Sequence, residues 1–292
     1  MNDEVMSVSR EDAGGPTDAV VIDGTTLRVR ESGDGPPLVL TPGGRLGMAP
    51  LAPLARVLAK RGRVLEWDRC NTGAADLCFA TPSEQIKWAD DLVRILDERG
   101  LAPAILAGGS AGARVSYLAA IRHPDAVRGL VLWSVSGGPF ASQNLGYDYH
   151  TVYVHAAQRA GMEGVAKTPF FAERIRENAG NEARLLGMDV TTFVDVMIEW
   201  NASFYWRPGT PVIGATEEEL RAIRCPTLVF AGNDLFHPAA PAEALHRLVP
   251  GSELAPLPWS GEEWTARYHR TTSASVVDLY PRLVPRIFEF LG

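Results

Sequence analysis

The stretch Pro103-Ala104-Ile105-Leu106-Ala107-Gly108-Gly109-Ser110-Ala111-Gly112 decides how the rest of the chain is read. Its apolar run from Pro103 to Ala107 predicts a short buried strand, and a helical pattern follows from Ala111 to about Arg122. Between the two, Gly108-Gly109-Ser110-Ala111-Gly112 matches G-x-S-x-G in the strand-then-helix setting that gives this pattern meaning as a nucleophile elbow. So sharp a turn pushes its middle residue toward a strained backbone conformation, and glycine at 108 and 112 lets strand and helix approach closely. Ser110 is therefore expected at the carboxyl edge of a sheet. The Ala111 amide opens the helix, so its N–H is free and the helix dipole favours negative charge beside it. A Gly-rich turn can also pack tightly or cradle a phosphate, but this spacing is that of neither common phosphate loop.

Outward from the elbow the same unit recurs. Upstream, residues 19–32 read as two strands joined at Asp23-Gly24, and Leu38 to Leu40 as a strand that breaks at Thr41-Pro42-Gly43-Gly44. A helical pattern spans about Ala49 to Arg61, a strand Arg63 to Trp67 and a helix Ser83 to Arg99. Downstream come a strand from Val127 to Ser134 and then residues 139–213, which lack strand alternation, look helical and are rich in aromatics. Order returns with Thr216-Glu217-Glu218-Glu219, a capping-box pattern opening a short helix, and a strand from Pro226 to Ala231. A helix (about Ala240 to Leu248), a strand (Leu254 to Leu257) and a last helix (about Ser275 to Leu291) complete the chain. Strands alternating with helices indicate an α/β fold with a mostly parallel central sheet and helices on both faces.

The bulk composition agrees. The chain has 292 residues, 46% of them hydrophobic and 22% charged, enough to bury one core with an insertion. A net charge of −7 and a pI near 5.4 disfavour nucleic acid and anionic membrane, so a small-molecule substrate is the expected partner. The polar, acidic stretch from Met1 to Thr17 reads as a flexible tail and not as a signal peptide. Cys70, Cys78 and Cys225 show no metal spacing, which favours a reduced, cytoplasmic setting and a structural role for each. Neither a metal nor another cofactor is expected. A homodimer is compatible with the sequence.

Taken together these motifs resemble the α/β-hydrolase superfamily, over nearly everything from about residue 18 to the C-terminus. Pro42-Gly43 stands where relatives usually carry His-Gly, Asp68-Arg69-Cys70-Asn71-Thr72-Gly73 resembles the turn after the next strand, and His123-Pro124 fits the segment after the elbow helix. The resemblance implies a core of residues 18–138 and 214–292, with a helical cap at 139–213 inserted after the sixth strand. It also implies a serine-nucleophile enzyme cleaving an ester, lactone or C–C bond, with Ser110 as nucleophile and Asp234, after the seventh strand, as the acid. The oxyanion hole would use the amides of Gly44 and Ala111 at the Gly43 turn. Tyr147, Trp200 and Trp206, with neighbouring aromatics such as Tyr149, Tyr153, Phe170, Phe171 and Tyr205, could line an apolar pocket, although cap core is the plainer role for most of them.

The base departs from the pattern. Relatives place a histidine shortly after the last strand, and here that stretch reads Pro258-Trp259-Ser260-Gly261-Glu262-Glu263-Trp264. Two substitutes exist. His237 lies three residues beyond Asp234, close to the sheet edge by connectivity, and His269 lies in an expected loop from Ser260 to Ser273 that would have to fold back over the site. Either needs one ring nitrogen at Ser110 and the other held by a carboxylate such as Asp234 or Glu262. Without a base the serine would be poorly activated. A lyase, decarboxylase or cyclase, or a catalytically silent binding protein, therefore stays open beside the hydrolase.

Overall fold

A computed structural model describes residues 16–292. The expected tail lies outside the described residues except for its last two, and Thr17 already opens a strand. Strands β1 (Thr17–Ile22) and β2 (Thr25–Ser32) form an antiparallel hairpin. Asp23 and Gly24 at its tip both have positive φ, the backbone of a tight hairpin turn that follows the strand twist. The sheet continues with β3 (Pro37–Thr41), β4 (Arg63–Asp68), β5 (Ala104–Gly109), β6 (Val127–Trp133), β7 (Thr227–Ala231) and β8 (Glu253–Pro256). Its order is β1-β2-β4-β3-β5-β6-β7-β8, with β3 to β8 mutually parallel and β2 antiparallel to β4. The elbow strand β5 therefore lies at the middle, between β3 and β6.

Helices α1 (Ala52–Leu58), α2 (Glu84–Glu98) and α3 (Ala111–Arg122) follow the early strands. Alternate β5 residues separate into two cores: Ala104 and Leu106 pack with Trp88, Tyr117 and Leu245 on one face, while Ile105 and Ala107 pack with Leu54, Phe230 and Ile287 on the other. Apolar residues on both sides explain why β5 reads as an unbroken apolar run.

Between β6 and α9 (Glu217–Arg221) run five α-helices, α4 (Gly138–Gly146), α5 (Val152–Ala166), α6 (Pro169–Glu177), α7 (Gly180–Leu186) and α8 (Val190–Ala202), with a π-helical turn at Tyr147–Thr151 joining the first two. They share their own apolar cluster, including Tyr153, Phe171, Phe193 and Trp200, into which Leu77 and Phe79 reach from the segment after β4. Polar bonds tie the two layers together. Asn178 and Arg184 donate to Asp76 at 2.9 and 2.8 Å, the Leu77 amide donates to Asn181 at 2.8 Å, and the Trp200 indole donates to the Ala80 carbonyl at 2.8 Å.

Helices α10 (Ala239–Leu248), α11 (Gly261–Tyr268) and α12 (Val284–Leu291) complete the chain. The capping box at Thr216 is present, with Thr216 and Glu219 bonding each other's backbone. Two expectations need correction. The stretch from Ser260 to Ser273 is not all loop: α11 occupies its first half, because Ser260 Oγ accepts the Glu263 amide at 3.1 Å and the helix buries Trp264. The last helix is not continuous from Ser275. Residues Val276–Leu283 form a tight 3-10 helix containing Pro281, and α-helical geometry resumes only at Val284, because proline has no N–H to continue the α ladder. No helix among the described residues is long and apolar enough to cross a membrane.

Candidate active site

Ser110 sits between β5 and α3 with φ 54° and ψ −114°, a left-handed conformation unfavourable for a residue with a side chain. The surroundings enforce it. A Cβ at Gly108 would lie 2.5 Å from the Gly112 backbone, and one at Gly112 only 2.1 Å from the Thr41 carbonyl. Strand, elbow and the neighbouring β3 end are in such close contact that glycine is required at both positions. The Ser110 amide donates to the Trp133 carbonyl at 3.1 Å, which ties the turn to β6.

After β7, Asp234 folds back on its own loop. Its Oδ1 accepts the amides of Phe236 (2.9 Å) and His237 (3.0 Å), a local turn that asparate favours and that brings the side chain three residues on back beside it. His237 Nδ1 lies 3.0 Å from each Asp234 carboxylate oxygen, and His237 Nε2 lies 3.0 Å from Ser110 Oγ. Since ionised Asp accepts only, Nδ1 carries the proton and Nε2 is left to accept from the Ser110 hydroxyl. The Asp234 side chain is fully buried. The Trp264 ring stands edge-on to the imidazole at 5.5 Å, and Tyr268 stacks on the indole at 4.8 Å.

The loop after β3 faces this group. A Cβ on Gly43 would lie 3.5 Å from Ser110 Cβ, and Gly44 has φ +53°. The Gly43 carbonyl accepts the Leu46 amide at 3.2 Å, so the trans peptide points the Gly44 N–H the opposite way. Buried Arg69 holds the loop by donating to the carbonyls of Pro42, Gly44 and Leu46 at 3.0, 3.1 and 3.2 Å, with its guanidinium 4.4 Å from the centre of the Trp88 ring. Burial lowers its pKa to about 10, which leaves it charged at neutral pH. Asp68 accepts the Met48 and Ala74 amides, at 2.7 and 2.9 Å, and pins the far end of the same loop. Burial nonetheless pushes its carboxyl pKa above the ordinary range.

The structure thus brings Ser110, His237, Asp234, Gly43, Gly44 and Ala111 together. His269 caps α11 at the surface, its ring against Tyr268, and has no bond to Ser110. The proposed pocket aromatics separate. Tyr147 and Trp206 line a cleft of about 400 Å³ with Pro139, Ser142, Phe204 and Tyr205, whereas Trp200 does not: it is 2% exposed and stacks on Phe79 within the helical layer. None of Ser110, His237 and Asp234 lines that cleft. Tyr149 lies closer to the serine side, its hydroxyl 3.4 Å from where a Gly44 Cβ would be, with its pKa raised by burial. Two contributors have no role in the sequence reading, Arg69 as the clasp of the glycine loop and Trp264 against His237, while Tyr149, expected only as one of the pocket aromatics, stands beside Gly44. For Trp264 a signal existed, the Ser260-x-x-Glu263 helix start. Arg69 stands in a recognisable turn, but its three carbonyl partners are visible only in the fold.

No protein-family profile matches the chain. Among curated proteins it is 25% identical over 240 residues to RutD of a Caulobacter species, named as a carbamate hydrolase, covering 78% of this chain and 84% of the relative. It is 32% identical over 124 residues to 2-hydroxymuconate semialdehyde hydrolase of a Pseudomonas species, covering 41% and 44%. Among solved structures it superposes on a hydrolase from Pseudomonas aeruginosa with a TM-score of 0.62 at 20% identity, covering 95% of this chain and 99% of the other. The enol-lactonase of Burkholderia xenovorans gives 0.59 at 20% identity, covering 94% and 99%. With the sheet order and the glycine-bounded elbow, these likenesses show that the chain has the α/β-hydrolase fold.

Proposed function

We propose that this protein is a serine hydrolase that cleaves an ester, lactone or C–C bond of a small, partly apolar molecule, with Ser110, His237 and Asp234 as its catalytic unit. The observation that carries the reading is the imidazole of His237, 3.0 Å from Ser110 Oγ on one side and 3.0 Å from the Asp234 carboxylate on the other. Ser110 attacks the scissile carbonyl while His237 Nε2 takes its proton. The Gly44 and Ala111 amides receive the oxyanion, and Asp234 stabilises the imidazolium. His237 then protonates the leaving group, and a water molecule activated by the same nitrogen releases the acyl group from Ser110. The names of the relatives, carbamate, semialdehyde and enol-lactone enzymes among them, support hydrolysis at a carbonyl without choosing a substrate. Non-hydrolytic chemistry gained its weight from the empty histidine slot after β8, and His237 offers a base from the preceding loop. In this reading α4 to α8 form the cap, and Tyr149 closes the site from that side.

A fluorophosphonate probe, which reacts only with an activated serine, tests the proposal. Wild-type protein should label and hydrolyse p-nitrophenyl esters of short acids, while Ser110→Ala should do neither and keep its melting temperature. An unlabelled, inactive but folded wild type would leave a binding protein as the better reading.

A further inference from the structure

The loop that carries Asp234 and His237 is packed tightly against the start of α11. A Cβ on Gly261 would lie 2.1 Å from the Asn233 carbonyl oxygen, and Asn233 Nδ2 donates to the Trp259 carbonyl at 2.6 Å. One turn further on, Trp264 and Tyr268 stand four residues apart on one face of the helix, their rings stacked at 4.8 Å with 12° between the planes. The indole is 6% exposed and meets the His237 imidazole at 5.5 Å and 79°, while the Tyr268 ring meets Phe236 at 5.7 Å. We propose that Trp264 is a positioning residue for the base, a wall that keeps the His237 ring turned so that both of its nitrogens stay on their partners.

The hydrogen bonds of the imidazole leave one motion weakly opposed. Nδ1 is held 3.0 Å from each Asp234 oxygen and Nε2 3.0 Å from Ser110 Oγ, which fixes the line through the two nitrogens. Roll of the ring about that line only bends these bonds, and a hydrogen bond keeps most of its strength until it is bent by about 30°. The Nε2 lone pair lies in the ring plane and off that line, so roll turns it away from the Ser110 hydroxyl. A rigid neighbour against the ring opposes the roll. The indole is such a neighbour, since it is buried and moving it away from the imidazole would open its stack on Tyr268. Proton transfer is sensitive to this alignment, because misplacing a reacting group by about 1 Å can cost on the order of 10²-fold in rate.

The wall is itself anchored. Ser260 Oγ caps α11 by accepting the Glu263 amide at 3.1 Å, which sets the turn that buries Trp264. Arg282 donates to the two Glu263 carboxylate oxygens at 2.8 and 2.9 Å, and Arg267 donates to the Ser275 carbonyl at 3.1 Å, so α11 is also tied to the segment leading into α12. With the base supplied by the loop after β7, the segment after β8 supplies the support of that base in place of a histidine.

The inference rests on Ser110, His237 and Asp234 forming the catalytic unit, and two readouts keep the two failures apart. In steady-state kinetics with p-nitrophenyl acetate, Trp264→Leu should lower kcat by about 10- to 100-fold while KM changes by less than about threefold. Trp264→Phe keeps a ring at the wall and should recover to within about fivefold of wild type. Tyr268→Leu, which removes the stack but leaves the indole, should fall between the two. The second readout needs no turnover. The proton NMR signal of the Nδ1–H held by Asp234, assigned by its absence in His237→Ala, should be sharp in wild type and in Trp264→Phe, and broadened by exchange with water in Trp264→Leu. Should Trp264→Leu fail to fold, Tyr268→Leu carries both measurements. A raised KM at unchanged kcat would make Trp264 a wall for substrate and overturn the proposal, as would a wild-type kcat with an unchanged signal. If the wild-type protein hydrolyses no ester, the hydrolase reading falls, and the NMR signal alone decides whether Trp264 holds the imidazole.

Discussion

Asp234 and His237 stand three residues apart on one loop, so a single turn presents both acid and base to Ser110. Residues that act as one unit are strongly non-additive. Ser110→Ala and His237→Ala should each lower kcat by roughly 10⁴-fold or more, and the double variant should be little worse than either. His269→Ala should stay near wild type, since its exposed ring lies against Tyr268 at the surface and makes no bond to Ser110. A multiplicative double variant in steady-state kinetics would show that the two side chains do not share a step. Asp234→Asn should also cost much of the rate, because an amide cannot stabilise the imidazolium. The position of Ser110 could be read from the chain because it directly follows an apolar strand, whereas Asp234, three residues past β7, was reached through the family resemblance. His237 was reachable through its nearness to Asp234, but nothing local favoured it over His269 strongly. Tyr149 was not legible as a neighbour of Gly44, because that approach joins residues more than a hundred positions apart.

At the scale of elements, the parallel strands and their helices were legible because each buried strand is an apolar run and each turn carries glycine or proline. Where the pattern failed, backbone chemistry had intervened. Helix α11 begins at a Ser-x-x-Glu cap inside a stretch that looks like loop, and Pro281 splits the final amphipathic run. The joint between the sheet layer and α6 to α7 depends on a residue no motif marks. Asp76 accepts the Thr26 amide at 2.8 Å together with Asn178 and Arg184. Burial alone would raise its carboxyl pKa, but these donors outweigh it and the pKa is lowered. A depressed folded pKa contributes stability that is present above the unfolded carboxylate value, about 3.9, and is lost as pH falls through the folded one. Asp76→Asn should therefore destabilise the protein by about 1–3 kcal/mol at neutral pH, and the gap to wild type should close in strong acid. Urea titrations along a pH series measure it, and a gap that widened on acidification would contradict the assignment.

The described residues form three apolar cores: two cover the faces of the sheet, and the third lies within α5 to α8. The first two share the strands between them, so they should melt together. The third joins the sheet layer by a different means. Leu77 and Phe79 reach into it, but the remaining ties named above are single polar bonds at Asp76, Ala80 and Asn181. Each such bond contributes only about 1 kcal/mol net, whereas the Trp200 ring is 2% exposed within the helical cluster, with Phe79 stacked on it. Trp200→Ala should thus remove about 3–5 kcal/mol, and the loss should fall on the helical layer. Trp206→Ala, at a ring 48% exposed on the cleft, should change stability by about 0.5 kcal/mol or less. Differential scanning calorimetry tests the contrast. Trp200→Ala should show an early transition carrying the helical layer, followed by the sheet at close to its wild-type temperature. A single transition displaced as a whole would mean that the third core is energetically one with the sheet, and that Leu77 and Phe79 couple the layers more strongly than their polar ties do.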